Sequence, residues 1–95
     1  MWWEDKDILK ITNHYGAEHQ KRKAAEELCE LTVEILKDVS GHGDREHIIE
    51  EMADALIMLN QLRIIYDCAR EVFEVMGAKI ERTLKRMEND DTGTA

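Results

Sequence analysis

The chain has 95 residues, 43% hydrophobic and 36% charged, with no proline and a formal net charge of −8. That length makes one small domain with a limited core, for which a second copy is a natural supplement. The acidic surplus argues against nucleic-acid binding, which is driven by basic residues on phosphates, and leaves room for a cation. The composition and the lack of proline fit a soluble, helix-rich globular protein.

The N-terminus, MWWEDKD, lacks the basic-then-apolar layout of a signal peptide. The first predicted helix covers residues 4–15, with apolar Ile8, Leu9 and Ile11, and stops at Gly16. The second covers residues 17–39, where Ala24, Leu28, Leu31 and Ile35 recur at helical spacing and Leu36 and Val39 widen the stripe. SGHGD, residues 40–44, is the clearest loop. Asp44 then caps a third helix over residues 45–66, with His47 in place of a capping-box Glu. A fourth covers residues 69–87, and Gly77 marks a weak point or boundary within it. The expectation is an all-α four-helix bundle, one domain over residues 1–88, followed by a flexible polar tail over residues 89–95. Cys29 and Cys68 show neither metal spacing nor a redox pair, and no apolar run reaches membrane-spanning length. A cytoplasmic protein with no membrane and no nucleic-acid partner is expected.

The third segment is apolar nearly all round between Met52 and Tyr66, a pattern of helices buried from several sides. One small copy can hardly cover every face, so a homodimer with this helix near the interface is expected. Within that segment stands Asp54, in MADALIML. A carboxylate in such a place either neutralises or finds a partner. On the second helix Glu27, Glu30 and Glu34 form one strip beside the apolar stripe, while Glu26 points further round. On the third, Glu51 and Asp54 are three residues apart and face the same way, with His47 and Glu50 nearby. Two such carboxylate pairs on antiparallel neighbours can converge, and a divalent cation relieves their mutual repulsion. An all-oxygen set suits Mg²⁺, or Mn²⁺ in its place, better than zinc. The competing reading is a solvated glutamate face, with Asp54 bonded to a helix end or to an Arg.

EELCE followed some twenty residues later by EMAD is an EExxE…ExxD pattern. It resembles the MazG-like nucleoside triphosphate pyrophosphohydrolases, an all-α group related to dimeric dUTPases. HYGAEHQKRKAAEELCEL and IIEEMADALIMLNQL look like the short single-domain members, over about residues 14–87. The resemblance implies a homodimer or a tetramer of dimers that cleaves a nucleoside triphosphate between its α and β phosphates with Mg²⁺. Carried onto matching positions, the metal ligands are Glu27, Glu30, Glu51 and Asp54, with Glu27 and Glu30 in the catalytic motif. Glu26 is either a water-orienting residue of that motif or a surface glutamate. Lys79 and Arg82, which share a face with Arg86, are the phosphate contacts suggested by the family's last helix, and Lys23 lies beside the acidic strip. His14 and Tyr15 of the HYG turn and Gln20 are base-binding candidates, with Trp2 or Trp3 for stacking; Tyr15 and the tryptophans also fit a packing role. A di-iron carboxylate bundle needs Glu-x-x-His motifs, and no Glu here has a His three residues later. A small dimerisation or regulatory module with weak or no turnover is the non-enzymatic alternative.

Overall fold

In the computed structural model, which describes residues 5–93, the chain forms four helices: α1 (Asp5–Tyr15), α2 (Ala17–Val39), α3 (Arg45–Ile65) and α4 (Ala69–Gly93). The architecture is all-α, with no strand among the described residues. A single residue separates α1 from α2. Gly16 sits there at φ 91°, a left-handed backbone that glycine adopts without a Cβ penalty, and its N–H donates to the Thr12 carbonyl at 2.8 Å. Asp44 caps α3 as expected: its Oδ1 accepts from the N–H groups of Glu46 at 3.0 Å and His47 at 3.4 Å. Asp67 makes the turn into α4 at φ 49°, a conformation Asp tolerates better than most residues.

Helix α2 packs along α3, and α1 lies against both. Ala24 and Ala55 are 2% and 3% exposed, and such small side chains let the two long helices approach closely. The most buried side chain is polar. Gln61 of α3 is 1% exposed, and its Oε1 accepts from Gln20 Nε2 of α2 at 2.8 Å. The Thr12 hydroxyl of α1 shares its proton between that same Oε1, at 3.1 Å, and the Ile8 carbonyl, at 2.9 Å. One amide oxygen thus ties three helices together.

Helix α4 behaves differently from the bundle member expected. Among the described residues it approaches the other helices only at α3, and its residues from Ala69 to Asp90 are all exposed. It runs unbroken through Gly77 and past Met87 into the stretch expected to be a tail, because neither glycine nor proline interrupts it between Gly77 and Gly93. The Cα radius of gyration is 17.1 Å, against about 12 Å for a compact chain of this length. Within one copy, the bundle has three packed helices and an extended fourth.

The buried amide generates a stability prediction. Gln61→Leu leaves the Gln20 amide and the Thr12 hydroxyl without their shared acceptor, and should cost about 1–3 kcal/mol in urea unfolding. Adding Gln20→Leu removes one orphaned donor and should recover part of that loss. Parent-like stability of Gln61→Leu would show that the network does not hold the helices.

Candidate metal centre

Three carboxylates meet between α2 and α3. Glu27 projects from α2, on the face that carries Gln20 and Ala24 into the core. Glu51 and Asp54 project from α3, one helical step before the buried Ala55 and Met58. One oxygen from each of Glu27, Glu51 and Asp54 lies within 4.8 Å of the others. Glu27 is only 7% exposed. Its Oε1 accepts from Lys23 Nζ at 3.2 Å, while its Oε2 is buried without a hydrogen-bond partner. Glu51 Oε2 is in the same state. Two buried carboxylate oxygens lacking donors, on side chains that repel each other, form an arrangement that a hard cation relieves.

The electrostatics follow from that crowding. Partial burial is the first cause that pushes the Asp54 carboxyl above its ordinary value of 3.8; the charge and hydrogen bond of Glu27 and the charge of Glu50 add to it, and Lys23 opposes them. Glu51 is pushed above 4.5, first by burial and then by the charges of Glu30, Asp54 and Glu27. Lys23 moves the other way in charge: its hydrogen bond to Glu27, followed by that carboxylate's charge, holds its ammonium above 10.5.

Several expectations need correction. Asp54 is exposed, not interior. The helix around it is apolar on faces that α1 and α2 leave bare, so apolar neighbours in sequence do not bury it within one chain. Of the four expected ligands, Glu27, Glu51 and Asp54 each place one oxygen within 4.8 Å of the others, while the exposed Glu30 reaches Glu51 by its charge and as a side-chain hydrogen-bond partner. Glu26 stays at the margin, its side chain 66% exposed and 3.8 Å from Lys23. Lys23 does belong to the centre, through Glu27. Gln20 is buried, and its Nε2 donates to Gln61 Oε1 at 2.8 Å. His14 meets the Tyr15 ring edge-on, and Tyr15 stacks on His19, both on the exposed turn between α1 and α2. Lys79 and Arg82 lie on α4, which does not approach α2, so one chain does not bring them to the carboxylates. Trp2 and Trp3 lie outside the described residues. Gln61 was given no role from the sequence, where it is one of two adjacent amides, Asn60 and Gln61, within IMLNQLRII.

Comparison with protein-family models, with curated proteins and with solved structures returns no match to this chain. No described helix is long and apolar enough to cross a membrane.

Raised carboxyl values fix the sign of a pH effect. Between the ordinary values of Asp54 and Glu51 and their raised native ones, the native state holds protons that the unfolded chain has released. Their contribution to stability therefore declines as pH rises through that window. In EDTA, Asp54→Asn should flatten the decline and melt at or above the parent at neutral pH, because one repelling charge is gone. If Asp54→Asn melts well below the parent in EDTA, Asp54 is a structural ion-pair partner and not a member of a repelling cluster.

Proposed function

We propose that the chain is a Mg²⁺-dependent nucleoside triphosphate pyrophosphohydrolase that acts as a homo-oligomer, a homodimer or a tetramer of dimers. The observation that carries this reading is the buried, unpartnered oxygen of Glu27 beside Glu51 and Asp54. The donor set fits the ion: three carboxylates with no thiol and no imidazole among them suit Mg²⁺, and Mn²⁺ as a substitute. The EExxE…ExxD resemblance supplies the reaction, in which a nucleoside triphosphate and water give the monophosphate and pyrophosphate.

In this reading Glu27, Glu51 and Asp54 hold the ion on the open side of the α2–α3 pair. A bound Mg²⁺ supplies charge neutralisation for the triphosphate and polarises its phosphoryl oxygens. Lys23 pairs with one oxygen of Glu27 and leaves the second available for coordination. Glu30 and Glu26 stand exposed at the rim, where a carboxylate can orient water and accept its proton. Lys79 and Arg82 are not assigned to the site of the chain that carries them. The second reading is an association module without turnover, and the extent of bare apolar surface on α3 and α4 favours it.

A pyrophosphate-release assay over a panel of NTPs and dNTPs with Mg²⁺ separates the two. The parent should turn over at least one nucleotide, and Asp54→Asn should lose most of that activity. Mg²⁺ at 100 times its dissociation constant should stabilise the native parent by about 2.7 kcal/mol, with a smaller gain in Asp54→Asn. Stabilisation by Mg²⁺ without pyrophosphate release supports a metal-binding module. If neither appears, both the metal centre and the enzyme assignment fail.

A further inference from the structure

Lys23 and Glu27 stand one turn apart on α2, so their pairing is set by that helix alone, whatever α3 does. The Lys23 ammonium lies 3.2 Å from Glu27 Oε1 and 3.8 Å from Glu26 Oε2, anchored between the two carboxylates. The Glu27 side chain is only 10% exposed, and its other oxygen, Oε2, is buried without a partner. Glu51 repeats the pattern on α3. Its Oε2 is buried without a partner, and Glu30 is a side-chain hydrogen-bond partner of the same carboxyl. Glu27 and Glu51 thus each hold out one oxygen to the centre, not a pair.

That restriction separates divalent cations by their coordination. Mg²⁺ is small, octahedral and reluctant to shed water, so it takes single carboxylate oxygens and keeps several waters. Ca²⁺ takes about 6–8 oxygens and readily grips both oxygens of one carboxylate. We propose that Lys23 is the residue by which the centre selects Mg²⁺ over Ca²⁺: its ammonium occupies Glu27 Oε1 and so denies the larger ion a two-oxygen grip. This selection presupposes the divalent-cation reading of the three carboxylates and adds which ion they take. For Ca²⁺ to gain Oε1, the ammonium has to give up a charge-assisted hydrogen bond to a largely buried carboxylate. Mg²⁺ demands no such exchange, because Oε2 alone serves it. Asp54 is exposed, so water reaches the third ligand, as an ion that keeps its waters requires. Both ions carry the same charge, and repulsion from the ammonium lowers their affinities alike. Selectivity arises only from the competition for Oε1.

Calorimetric titration of the full chain, stripped with EDTA and dialysed, with MgCl₂ and separately with CaCl₂ tests it. The parent should bind Mg²⁺ more tightly than Ca²⁺. Lys23→Met keeps the helix propensity of a position that is 47% exposed, and it frees Oε1. It should move the ratio of the two dissociation constants toward Ca²⁺ by roughly tenfold or more. Lys23→Arg, which restores a donor for Oε1, should bring the ratio back toward the parent's. Helix content by circular dichroism checks each fold, and Lys23→Gln serves as a second replacement without the charge. If losing the charge tightens both ions by one factor, or weakens both by one factor, Lys23 acts through its field or through the fold. Either result overturns the inference and leaves the metal centre standing. If neither ion binds the parent or any variant, the metal centre itself fails and the selection falls with it.

Discussion

The centre of this molecule is a carboxylate in a place where neither water nor a protein donor fully satisfies it. Glu27 is fixed there by α2, whose same face carries Gln20 and Ala24 into the contact with α3. The helix cannot rotate Glu27 toward solvent without withdrawing Ala24 from its contact and Gln20 from its hydrogen bond. Lys23 takes one of its oxygens, since a residue four positions earlier lies one turn back along the same face. The other oxygen is left to Glu51 and Asp54, which repel it. Close helix packing, which stabilises the fold, therefore creates the electrostatic demand that a cation would meet.

The parts of the structure that depend on local chemistry were legible in the sequence. The Gly16 break, the Asp44 cap and the boundaries of α2 follow from backbone propensities and from hydrogen bonds within a few residues. So did the pairing of Glu51 with Asp54 on one face, a consequence of helical geometry alone. What was not legible depended on which faces other elements cover. The run MADALIML suggested an interior Asp54, but an apolar helix face is buried only if something lies on it, and α4 departs from the body. How closely Glu30 approaches Glu51 depended on a few ångströms of helix separation that spacing does not encode.

The same distinction explains the all-round apolarity of α3. In a finished monomer, Met52, Leu56 and Leu59 would be a liability, with a large contiguous patch facing water. Helix α4 carries a second bare stripe of the same kind, with Phe73, Met76, Ile80 and Leu84 exposed. The fourth helix expected of a bundle is present in sequence and in length, but it meets its own body only at α3.

Gln20 precedes Glu27 by seven residues, and Gln61 follows Asp54 by seven, so in an antiparallel pair the two couples occupy equivalent places two turns apart. Along this groove the polar groups have opposite fates. At one end Gln20 and Thr12 both donate to the Gln61 amide oxygen, His19 meets the Gln20 oxygen and the Gln61 amide donates to the Met58 sulfur. At the other end the carboxylates cannot satisfy one another at all. The satisfied end sets the register of the unsatisfied one: a slip of one helical turn, about 5.4 Å, would orphan the amides in the core and carry Glu27 away from Asp54. A buried polar network is costly to misplace, and that cost gives it specificity that apolar contacts of similar area lack. The amide lock thus acts at a distance as the positioning device for the acidic centre, holding three repelling groups within 4.8 Å by the stability of contacts two turns away.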